Sequence, residues 1–86
     1  MKEGQLMTFD DAAGWRLHDL MQKKEMSAYA LSGRTGLSRS TIGDIIKCKN
    51  HNSMKLSTLY IICQGLDIEV ADFFDNEVFL RCNLEP

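Results

Sequence analysis

Two histidines, three cysteines and twelve carboxylates are the side chains of this 86-residue chain that could hold a metal or move a proton. Their spacing offers little support for either chemistry. Cys48 and His51 form one C-x-x-H pair, but no second pair stands at zinc-ligand spacing, and a structural zinc needs four donors. Cys48, Cys63 and Cys82 are an odd, irregularly spaced set without a C-x-x-C pair, which reads as free reduced thiols rather than a disulfide framework. His18 and His51 lack the sequence context of a catalytic dyad, and no glycine-rich loop is present to cradle a phosphate. The expectation is therefore no enzyme, no metal and no cofactor.

A different kind of chemistry is offered by the middle of the chain. Residues 27–55 carry Arg34, Arg39, Lys47, Lys49 and Lys55 against Asp44 alone, a charge of +4, whereas residues 56–86 carry Arg81 against six carboxylates, a charge of −5. A net charge of −2 thus hides a positive side, which governs attraction to a polyanion more than the total does. Within that segment Arg39, Ser40, Gly43, Asp44 and Lys47 recur at helical spacing opposite Ile42, Ile45 and Ile46, giving one helix an apolar back and a small polar front.

The elements that must position this front follow from periodicity. Phe9, Ala13, Leu17, Leu20 and Met21 mark a first helix over about 10–24, with Asp10 and Asp11 at its positive end. Ser27 is an N-cap for a short second helix to about Arg34, with Ala30 and Leu31 turned inward; Gly36 ends it. Leu37 plugs the angle between this helix and a third one, which Ser38 caps and which ends near 47–49. The polar stretch 50–53 is a turn. Leu56, Leu59, Tyr60, Ile62, Cys63 and Leu66 then give a fourth helix a wide apolar face, ended by Asp67. A fifth, about 69–75, buries Val70, Phe73 and Phe74, and the tail holds the apolar run Val78, Phe79, Leu80. No period-two stretch of useful length precedes that tail.

The fold expected is all-α: a compact five-helix domain over 1–75, with a helix-turn-helix at about 27–48 and a tail over 76–86. At 86 residues one modest core fits and a second, ligand-sensing domain does not. No stretch approaches the ~18 apolar residues of a membrane span, and no signal-peptide core opens the chain, so the expected compartment is the cytoplasm.

The run Gly36-Leu-Ser-Arg-Ser-Thr-Ile42, in register with Leu56-x-x-Leu59-x-x-Ile62-Cys63 and with Val70-Ala-Asp-Phe-Phe74, resembles the Cro and lambda-repressor type of bacterial and phage regulator. The resemblance spans about 14–75. It implies a transcriptional regulator, acting as a repressor, that binds double-stranded DNA with its third helix in the major groove and Arg39, Ser40 and Asp44 nearest the bases. A guanidinium can bond guanine O6 and N7 together, which makes Arg39 the main reader. Asp44 would accept from a cytosine N4 amine, repel wrong sites, or simply be solvated. Phosphate contacts would come from Ser27, Ser38 and Thr41, from Lys47, Lys49, Asn50 and His51, and from Tyr29, which otherwise only covers the core. The tail would pair two copies into a homodimer.

Departures from the family pattern fall at Ala28, where many members have glutamine, and at Ser32 and Cys48, where alanine and glycine are frequent. A buried arginine–glutamate pair on the first and third helices is replaced by Met21 and Ile46, which should touch; such a replacement costs little because desolvating two charges offsets much of their attraction. The rival reading keeps the fold as a protein-interaction module, antitoxin-like, gripping a partner through Trp15 and Val78, Phe79 and Leu80.

Overall fold

The computed structural model describes residues 7–47 and 54–83, in the order β1 (Met7–Thr8), α1 (Phe9–Lys23), α2 (Ala28–Thr35), α3 (Arg39–Lys47), α4 (Leu56–Leu66), α5 (Val70–Phe74), a 3-10 helix (Glu77–Arg81) and β2 (Cys82–Asn83). All five expected helices are present. Thr8 starts α1, its hydroxyl accepting the Asp11 N–H at 3.1 Å, while Asp10 and Asp11 sit in the first turn and Lys23 in the last, each charge matched to its end of the helix dipole. Gly36 at φ 80° closes α2 and Asp67 at φ 60° closes α4, both in the left-handed conformation of a helix stop.

One core cluster joins the helices: Leu17, Leu20 and Met21 from α1, Leu31 from α2, Ile42 from α3, Leu59, Ile62, Cys63 and Leu66 from α4, and Phe73 from α5. Met21 is buried in this cluster and Ile46, partly buried, packs against it. Four expectations fail in detail. Phe74, expected to be buried with Phe73, is 37% exposed, because adjacent residues of a helix point about 100° apart and Phe73 takes the core-facing position. Ala30 is exposed, because the inward face of α2 runs Ala28, Leu31, Thr35 and leaves residue 30 one position out of phase. Tyr60 is on the outer face of α4, where its hydroxyl accepts from Gln64 Nε2 at 2.9 Å. Leu56, at the first helical position, stays exposed at the rim of an apolar cavity of about 130 Å³ that Phe9, Met54, Leu59 and Phe74 also line.

The tail folds back. Val78 is buried, and Phe79 joins Phe9, Phe73 and Phe74 in an aromatic cluster with centroids 5.0–6.1 Å apart. β2 then pairs with β1 in parallel, Cys82 opposite Met7 and Asn83 opposite Thr8, a bridge of two residues per strand. Two-residue strands carry no periodicity to read, so the sequence could allow β structure in the tail without showing its partner.

Arg16 is the one buried charged residue among those described. It stands in register with Ala13, Leu17 and Leu20, and its guanidinium donates to the carbonyls of Phe73 and Asp72, both at 2.8 Å, and to Asp19 Oδ2 at 3.0 Å. Buried charge is costly unless its donors are used; here they bond carbonyls in the last turn of α5 and so tie that short helix to α1. Asp19 also meets Lys23, at 3.2 Å.

At Gly14 two helices come into close backbone contact. A Cβ there would lie 2.5 Å from the Ile45 carbonyl oxygen and 2.8 Å from that of Ile46, so α1 rests directly on the backbone of α3. Gly65 plays the same part between α4 and α2, where a Cβ would meet Thr35 Cγ2 at 2.6 Å. Among the described residues no helix is long and apolar enough to cross a membrane, and no group of three or more His, Cys, Asp or Glu side chains could hold a metal ion. Cys48 and His51 lie outside the described residues.

Two outcomes follow. Gly14→Ala gains ~0.5–1 kcal/mol of helix propensity but meets backbone that cannot rotate away, an overpacking cost of ~1–3 kcal/mol; chemical denaturation should show net destabilisation. Burial first, and the Asp72 charge second, push the Cys63 thiol above its ordinary value. The unfolded chain therefore loses that proton at lower pH than the folded one, so this contribution is intact at neutral pH and lost as pH rises through the ordinary thiol range. Unfolding midpoints of wild type and Cys63→Ala should converge in that alkaline window, and Cys63 should resist alkylation until the protein unfolds.

Candidate nucleic-acid interface

The α2–turn–α3 unit is held by side chains that bond locally. Ser27 Oγ accepts the Ala30 N–H at 3.0 Å and Ser38 Oγ accepts the Thr41 N–H at 3.0 Å, so each helix of the pair begins on a serine cap. Between them, Thr35 Oγ1 donates to the Leu31 carbonyl at 2.8 Å and accepts the Leu37 N–H at 3.1 Å, and Ser32 Oγ donates to the Leu37 carbonyl at 2.6 Å. Leu37, half-buried against the core, is thus fixed at both its N–H and its carbonyl. Ser32, a departure from the family's frequent alanine, acts as a clip across the turn.

This bracing presents one face of α3 to solvent. Ile42 is buried and Ile45 and Ile46 are partly buried on the core side; Arg39, Ser40, Thr41 and Lys47 are exposed and Asp44 is half-buried. Gly43 adds no bulk between them, and open space surrounds its position. The three expected base readers therefore share one accessible helix. Ser27, Ser38 and Tyr29 are exposed beside it, Tyr29 at 73%. Lys49, Asn50 and His51 lie outside the described residues.

The caps leave protons available. A serine that accepts a helix N–H still has its own O–H to donate, and Ser38 gives that proton to Thr41 Oγ1 at 2.9 Å, which turns the Thr41 hydroxyl outward as a donor. The exposed hydroxyls and positive helix starts of α2 and α3 together form a surface suited to anionic oxygen.

Two of the basic residues have roles that spacing alone did not reveal. Arg34 donates to the Gly65 carbonyl at 2.9 Å, pinning α2 to the end of α4. The Arg39 guanidinium lies over the Tyr29 ring, 5.6 Å from its centroid. Tyr29 and Arg39 occupy the first turns of two different helices, and only the turn geometry brings them together.

The residues expected at a partner interface are divided. Trp15 is 46% exposed and Leu80 is 87% exposed, whereas Val78 is buried and Phe79 packs on the core. The apolar run of the tail therefore gives most of its surface to its own chain.

Residues 16–77 match the family model of the Cro/C1-type helix-turn-helix DNA-binding domain. The chain belongs to that family. Among solved Cro/C1-type and related folds, it is similar to the restriction-modification controller protein C.AhdI of Aeromonas hydrophila, at 28% identity and a TM-score of 0.68 over 76% of this chain and 96% of that one. It is also similar to an HTH_3-family transcriptional regulator of Vibrio cholerae, at 28% identity and a TM-score of 0.75 over 84% of this chain but 39% of that longer one. The controller protein C.Esp1396I shares the fold at 19% identity and a TM-score of 0.72, over 84% of this chain and 91% of that one. A search of curated proteins returns no match.

In this Cro/C1-type domain the Ser38 cap holds the start of the α3 face. Ser38→Ala should cost ~1 kcal/mol of stability and speed hydrogen exchange at the Thr41 amide, while exchange in α4 changes only by the global loss.

Proposed function

We propose that this Cro/C1-type domain is a sequence-specific regulator of transcription that inserts α3 into the DNA major groove and acts as a repressor. The observation that carries this reading is the α3 face on which Arg39 and Ser40 are exposed and Asp44 is half-buried, set beside the serine-capped starts of both helices. Arg39 reads a guanine through paired bonds to O6 and N7. Ser40 adds a short-range contact, and Asp44 either accepts from a cytosine amine or rejects sites that put phosphate near it. Ser27, Ser38, Thr41 and Lys47 hold phosphates and set the register without reading sequence, joined by Lys49, Asn50 and His51.

The domain works by binding rather than catalysis, in the cytoplasm where its duplex target lies. Two copies engage a symmetric operator, with half-sites one DNA turn apart, ~34 Å. C.Esp1396I, which shares the fold, is a tetramer on its natural 35-base-pair operator, and that supports assembly on DNA for this chain as well.

Selection of bound sequences from a random duplex pool tests the reading. The selected site should bind with an affinity that falls steeply as salt rises, and Arg39→Ala should lower discrimination at one guanine by about tenfold, the effect of ~1–3 kcal/mol at a single base. Binding to no duplex at any salt would overturn the proposal and favour a protein-interaction role through Trp15 and Leu80.

A further inference from the structure

The Tyr29 side chain was open to two readings from sequence, a phosphate contact through its hydroxyl or a cover for the core. Its exposure of 73% rules out core cover, and its ring lies under the Arg39 guanidinium at 5.6 Å. We infer that Tyr29 is a positioning residue for base recognition: its ring, not its hydroxyl, holds Arg39 in the orientation that reads a guanine. This rests on the proposal that Arg39 is the base reader.

The geometry suits that part for three reasons. A guanidinium held over an aromatic ring by its charge need not spend its five N–H donors there, and they remain available for guanine O6 and N7. An arginine gives up substantial rotamer freedom when it docks, and a stack already made in the free protein removes part of that loss. The Tyr29 backbone is fixed, in the second position of a helix whose start is tied by the Ser27 cap to Ala30. Among the described residues the Arg39 guanidinium makes no ion pair, so none of their carboxylates competes with the ring for it.

The hydroxyl and the ring are separable by substitution. Tyr29→Phe, Tyr29→Ala, Arg39→Ala and the Tyr29→Ala/Arg39→Ala double variant are compared with wild type for binding to the selected duplex and to the same duplex with the Arg39-dependent guanine replaced. Tyr29→Ala should lower discrimination at that guanine by about two- to fivefold, the effect of one exposed cation–π contact, with affinity for a scrambled duplex unchanged. Tyr29→Phe should keep wild-type discrimination, and Tyr29→Ala should have no further effect once Arg39 is alanine. In the protein without DNA, ring-current shifts of the Arg39 side-chain resonances should be present in wild type and Tyr29→Phe and lost in Tyr29→Ala.

An equal loss in Tyr29→Phe and Tyr29→Ala, uniform across duplexes, would overturn the inference in favour of a hydroxyl–phosphate contact. So would an undiminished Tyr29→Ala effect in the Arg39→Ala background. If Arg39→Ala alone changes discrimination at no position, the base-reading assignment falls and this inference falls with it; if Arg39→Ala removes a preference that Tyr29→Ala leaves intact, only the inference about Tyr29 falls.

Discussion

The contact of α1 with the backbone of α3 at Gly14 is the constraint on which the functional surface depends. Two helices with side chains between them pack ~8–10 Å apart. Removing one Cβ lets α1 touch the Ile45 and Ile46 carbonyls themselves, and so sets the depth and tilt of α3 with little room for adjustment. Ile42, Ile45 and Ile46 then have one way to face the core, and Arg39, Ser40 and Asp44 are turned outward as a consequence. α1 can serve as that support because it is anchored in turn. Arg16 ties it to α5, the aromatic cluster seals its first turn, and the tail lies along it.

The polar residues divide by what their donors meet. Arg16, Arg34, Ser32 and Thr35 bond backbone carbonyls inside this chain and hold helices or the turn in place. Ser27 and Ser38 satisfy helix starts; Ser27 keeps its hydroxyl proton for an outside acceptor, while Ser38 passes its own to Thr41 and leaves the Thr41 hydroxyl to donate outward. The first group makes the second group's positions reproducible, since the interface lies on helices whose ends are fixed. Charge follows the same division. Asp67, Glu69 and Asp72 line a groove beside α4 and α5, while Arg39 and Lys47 stand on the face of α3.

Much of this was legible in the residues. Period-three-to-four apolar spacing located the five helices, serine and glycine marked the caps and the αL stop, and the polar face of α3 was readable as a face. The errors arose where a local pattern had more than one tertiary solution. Leu56 and Tyr60 belong to an apolar-looking helix, yet one sits beyond the edge of the core and the other on its outer side. Val78, Phe79 and Leu80 form one run, yet Val78 is buried, Phe79 packs against the core and Leu80 faces solvent, because a 3-10 helix points successive residues in different directions.

By itself the sequence determined the five α-helices, their order and the composition of the α3 face, because helix periodicity and capping act over four residues or fewer. Only the tertiary structure decided which arginine is buried, which ring meets Arg39, why Gly14 must lack a side chain, and where the tail goes. Those outcomes join residues far apart in the chain, 57 positions for Arg16 and Phe73, and no local propensity encodes a contact that exists only after the chain has closed on itself.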